Sequence, residues 1–110
     1  MEAFGRRTSD VPTKRNLSEL DSTPHANVFP GAEPKTVRLS LSAGEAIPPH
    51  SHPDRRIVLY LIEGRLDLAL DDATHELTAG EIVRFDGDRE ISPEALTDAT
   101  ALLVFTPRVE

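Results

Sequence analysis

The chain has 110 residues, 38% of them hydrophobic, with 19 acidic against 12 basic side chains, a net charge of −7 and no cysteine. The length fits one domain with a single core. The composition excludes disulfides and thiolate chemistry, and the negative balance repels phosphate backbones, so no nucleic-acid partner is expected.

The longest apolar runs, IVLYLI and ALLVF, are far too short to cross a bilayer. MEAFGRRTSDVPTKRN has basic residues but no apolar stretch behind them, unlike a signal peptide. A soluble, cytoplasmic chain with no membrane partner is expected. The acidic clusters DDATHE and FDGDRE read as solvated turns.

Residues 1–30 are polar and punctuated by proline, and are expected to form an N-terminal arm, loose over about the first 12 residues. Within it NLSEL suggests a helical turn or a strand edge, and ANVFPG a short strand closed by a turn at Pro30-Gly31. His25 lies in this polar stretch, where solvation is the default.

Residues 31–110 are expected to form the folded domain, and their pattern is β. TVRLSLS alternates, placing Val37, Leu39 and Leu41 on one face. IVLYLIE is a β-rich run ended by Gly64, and RLDLAL alternates with Leu66, Leu68 and Leu70 inward. After the polar turn DDAT come the short strands HEL, EIVRF and EIS, and TALLVFTP is the last. No segment shows ten residues of helical periodicity. Short strands at close spacing with polar turns indicate an antiparallel sandwich or small barrel.

The chemistry concentrates in IPPHSHPDRR. On an extended backbone, residues two apart share a face. Pro48, Pro49 and Pro53 favour extension around His50 and His52, so both imidazoles are expected to project to one point.

Gly44, five residues, His50-Ser51-His52 and then Gly64 resemble the first motif of the cupin superfamily, and HELTAGEIVRF resembles the approach to its second, with Gly80 as the opening glycine. The similarity covers roughly Val37 to Thr106. It implies an all-β, double-stranded β-helix (jelly-roll) cupin barrel. It further implies a metal site in which His50 and His52 are ligands. The expected cofactor is a divalent transition metal (zinc, nickel, manganese or iron), weakly bound or absent.

Two family ligands are missing from the pattern. Where the motif carries a glutamate stands Arg56 or Ile57, depending on the count from His52, and where the second motif carries its histidine stands Ile91. Open transition-metal sites generally use three protein ligands. Candidates for a third are Glu90, His75, Glu63 and Asp54, none with a spacing as good as the residue it would replace. Ile57 and Ile91 read more simply as apolar lining, which suits a small organic ligand.

Arg55 and Arg56 are read as solvated arginines balanced by acids such as Asp54. The competing reading, an anion clamp at the barrel mouth, places Arg56 with His50, His52, Ile57 and Ile91 among the ligand-binding candidates. Tyr60 is expected on the outside of its strand. Ser51 has no base and orienting group around it, so no hydrolase triad is indicated. The resemblance implies a homodimer. The expected function is binding of a small molecule in the barrel without catalysis. The alternatives are a metal-dependent oxygenase or isomerase with a rearranged ligand set, and a barrel used for self-association.

Overall fold

The computed structural model describes residues 11–108. The expected looseness of the first 12 residues falls mostly outside this range. A 3-10 turn at Leu17–Glu19 precedes eight strands. These are β1 (His25–Asn27), β2 (Lys35–Leu41), β3 (Arg55–Glu63), β4 (Arg65–Leu70), β5 (Ala73–Thr78), β6 (Ile82–Asp86), β7 (Ile91–Ala95) and β8 (Ala99–Pro107). The chain is all-β, and its strands form two antiparallel sheets of the jelly-roll type, in the orders β1-β2-β8-β3-β6 and β5-β4-β7.

Side-chain alternation decides the layers. Leu66, Leu68 and Leu70 of β4 face inward and are buried, opposed by Leu39, Leu41, Leu59 and Leu61 from the larger sheet. β8 is central, pairing with β2 on one side and β3 on the other. At the Leu41–Ala99 end small and large residues alternate: Leu61, Leu66, Ala95 and Ala101 are all buried there. This end is filled by core side chains. The opposite end of the same strands carries Lys35, Ile57 and Phe105, and there the interior opens.

β3 turns into β4 through a close backbone approach. Its register shifts between Leu61 and Glu63, a bulge that re-aims the strand end. Gly64 follows at φ +88, and any Cβ there would collide with the carbonyl oxygen of Asp98. Only glycine fits both the conformation and the space.

The arm is part of the sheet from His25 onward. β1 pairs with β2, with His25 opposite Leu39 and Asn27 opposite Val37. A division at residue 30 thus runs between two paired strands. Further back, the 3-10 turn is capped by Asn16, whose side chain accepts from the Ser18 N–H at 3.0 Å. It is held to β2 by Arg38. This arginine is buried on the outer sheet face, and its guanidinium donates to the carbonyls of Leu17 (3.0 Å) and Ser22 (2.9 Å).

Candidate functional site

The open end of the barrel encloses a cavity of about 490 Å³. Its deep wall is aliphatic and aromatic: Ile57 and Leu59 from β3, Leu68 from β4, Phe85 from β6, Ile91 from β7 and Phe105 from β8. Its mouth is polar and cationic, with His25 and Asn27 from β1, Lys35 from β2, and His50 and His52.

The histidine segment is extended but is not a regular strand. It is held at two points. His50 exchanges both backbone hydrogen bonds with Ile91, at 3.1 and 2.7 Å, as an isolated bridge. His52 donates its backbone N–H to the Gly87 carbonyl at 2.7 Å, and Gly87 donates in turn to the Arg55 carbonyl at 2.8 Å. A Cβ on Gly87 would strike the His52 carbonyl oxygen. The turn between β6 and β7 therefore needs glycine to seat the histidine segment. The two imidazoles lie nearly perpendicular, 4.9 Å apart between centroids, and His52 also packs edge-on to Phe105 at 4.8 Å. The His50 Nδ1 lies 2.9 Å from the Pro48 carbonyl oxygen. As a donor there it leaves Nε2 as the free ring nitrogen.

Both rings, Ile57 and Ile91 thus line one cavity. Arg56 does not. On β3 it alternates with Ile57, and it borders a separate groove shared with His75, Arg84 and Arg89. The ligand-binding role expected for Arg56 therefore lacks a place in this cavity. Asp54, Glu63, His75 and Glu90 also lie outside the lining. Arg55 finds its partner in Glu33 rather than Asp54, through two bonds of 2.9 and 3.0 Å, and it also donates to the Phe105 carbonyl. That pairing holds the Glu33 carboxyl below its usual range.

Among the cavity residues that motif spacing does not point to are His25, Lys35 and Phe105. Lys35 had a readable signal, since it shares the parity of Val37, Leu39 and Leu41 and so falls on the inward face. His25 had none, because its facing is decided by pairing with β2, a distant event in the chain. The Lys35 Nζ stands 5.2 Å from the centre of the Phe105 ring. Loss of hydration, then His50 and Lys35, push the His25 imidazole below its ordinary range. The same three causes, in the same order, lower His52, with smaller contributions from His25 and Arg55. The mouth is a cluster of mutually repelling basic groups.

As a metal site the donor set is short. His50 and His52 share the cavity with His25 and with the aliphatic side chains of Ile57 and Ile91, and no carboxylate joins them in the lining. Among the described residues no group of three or more His, Cys, Asp or Glu side chains is placed to hold a metal ion. Among the described residues there is also no helix long and apolar enough to cross a membrane.

Comparison with known proteins agrees with this architecture. Residues 37–107 match the family model described as Cupin domain. The chain belongs to that family. No curated protein matches it. Among solved structures it is similar to an RmlC-like cupin from Desulfovibrio desulfuricans, at 23% identity and a TM-score of 0.73, covering 90% of this chain and 100% of that one. It is also similar to KdgF from Halomonas sp., at 19% identity and a TM-score of 0.66, covering 80% of this chain and 84% of that one. A third is a predicted oxalate decarboxylase from Thermotoga maritima, at 18% identity and a TM-score of 0.67, covering 76% of this chain and 79% of that one. At these identities the likeness is one of fold.

Proposed function

We propose that this is a cytoplasmic, homodimeric cupin that binds a small organic molecule in its barrel without carrying out catalysis on it. The observation that carries the reading is the cavity itself. Its volume of about 490 Å³ lies within the range of small-molecule pockets. Its deep wall is apolar, and its few polar groups converge at one end, the usual division between affinity and orientation. Ile57 and Ile91 dry the side of the cavity where a cupin metal centre would have its remaining ligands. That favours an organic occupant over a coordinated ion. The exposed Tyr60, Ile62 and Ile82 support a self-associating outer sheet face.

The test is a fragment titration followed by NMR on the labelled full chain, using neutral and charged molecules with a compact apolar body. Shifts confined to Ile57, Ile91, Phe105 and their neighbours are the expected result. A set that leaves those resonances unmoved at millimolar concentration refutes ligand binding. Metal content, measured after purification without a chelating tag, checks the enzyme alternative. Stoichiometric iron, manganese, nickel or zinc, lost in the His50→Ala, His52→Ala double variant, would replace the present reading by a metal-dependent one.

A further inference from the structure

We propose that the ligand is a monocarboxylate: a small organic acid whose apolar body lies against Ile57 and Ile91 and whose anionic head meets Lys35 and His25 at the mouth. The proposal rests on the small-molecule reading above and narrows it by chemistry. The chain carries 19 acidic and 12 basic residues, yet no Asp or Glu lines the cavity. The mouth instead gathers three of the four histidines and one of the only two lysines. The charge of the lining thus rests on the Lys35 ammonium and opposes that of the whole chain, while the imidazoles beside it add N–H donors, an arrangement that attracts anions.

The Lys35 ammonium makes no direct ion pair among the described residues. Glu33 feels the Lys35 charge through space, but both of its carboxylate oxygens are engaged by the terminal nitrogens of Arg55, its dominant partner. The Lys35 ammonium is left over the face of Phe105. The aromatic face and the cation form one continuous surface, so a molecule with an apolar body and a negative end matches both parts at once.

The kind of anion follows from the donors. With the Arg55 fork occupied, the mouth offers an ammonium and imidazoles, each a single-point donor. Those serve the two oxygens of a carboxylate. A phosphate dianion is generally met by a guanidinium fork or a nest of backbone N–H groups, and neither lines this cavity.

The decisive experiment compares phenylacetate with its uncharged isostere phenylacetamide. Both are titrated into the full chain in excess EDTA, so that only the protein's own cations act. The acid should bind about tenfold or more tightly than the amide, as a charge-assisted contact predicts. Lys35→Met should remove most of that preference, His25→Gln part of it, and Lys35→Arg should keep it. Raising salt on the unmodified chain should weaken the acid and leave the amide unchanged, which tests the idea even if a variant folds poorly. Equal binding of acid and amide would overturn the carboxylate proposal and leave the small-molecule reading standing, as would neutral fragments that bind while the acid does not. Cavity resonances that respond to neither probe nor to any neutral fragment would overturn both.

Discussion

His50 and Ile91 face each other as a backbone pair, each donating to the other at 3.1 and 2.7 Å. This contact ties the histidine segment to β7. It also places Ile91, the residue that motif spacing sets against the family's second-motif histidine, beside the imidazole segment. Ile57, buried on β3, lines the same cavity.

Restoring the missing ligands should restore a metal site. Ile57→Glu with Ile91→His buries two polar groups at positions that are 1% and 3% exposed. The metal-free variant should lose about 3 kcal/mol or more. Added zinc or nickel should then raise its melting temperature with concentration, as any ligand of the folded state does. A folded double variant whose melting temperature ignores metal contradicts the register.

Gly87→Ala should disturb the histidine segment specifically. The new methyl meets the His52 carbonyl oxygen, a backbone atom that cannot rotate away. We expect a loss of about 2 kcal/mol or more, with NMR shifts concentrated at His50, His52 and Arg55. A change below about 0.5 kcal/mol, the usual limit for a neutral surface site, would show that the turn is not tightly seated.

Arg38→Met should release the arm. Its charge-assisted bonds to Leu17 and Ser22 are lost, at a cost of about 2–3 kcal/mol. Trypsin should then cut at Lys14 and Arg15 faster than in the unmodified chain. Equal cleavage rates with equal stability would mean that the arm is held by other contacts.

Acid should weaken the fold through the cavity histidines. His25 and His52 both have imidazoles held below the ordinary value of 6.5, chiefly by lost hydration and then by His50 and Lys35. The unfolded chain therefore takes up protons that the folded chain refuses. Their contribution is complete above about pH 6.5 and declines as pH falls below it toward the depressed folded-state values. Urea titrations should show this slope, and the His25→Gln, His52→Gln double variant should flatten it. An unchanged slope in that variant would assign the acid sensitivity elsewhere.

Tyr60 and Ile82 are register partners on β3 and β6, exposed by 39% and 64%. If this outer face joins two copies, Ile82→Lys should shift light scattering toward the monomer mass. A mass that does not change would remove this face as the contact.

The architecture was readable because alternation is a local property. Leu66, Leu68 and Leu70 announce both the strand and its buried face, and the spacing from Gly44 through His52 to Gly64 identifies the barrel type. The cavity was half readable. His50, His52, Ile57 and Ile91 follow from motif spacing, whereas the anion-clamp reading of Arg56 finds no place in the lining, because Arg56 alternates with the inward Ile57 on β3. His25 enters through the pairing of two distant strands, and nothing near it in the chain records that pairing. Lys35 was legible by parity, yet a lone lysine beside an apolar strand reads as its solvated end.

One wall of the barrel is only three residues long. β1 has a single strand neighbour, β2, and the chain leading into it is clasped by the guanidinium of Arg38. Detaching that strip requires the loss of a few edge contacts, a far smaller excursion than melting the two sheets. Local opening at this edge is therefore expected to cost less than global unfolding, and it would uncover His25 and Asn27 in the cavity lining while both sheets persist.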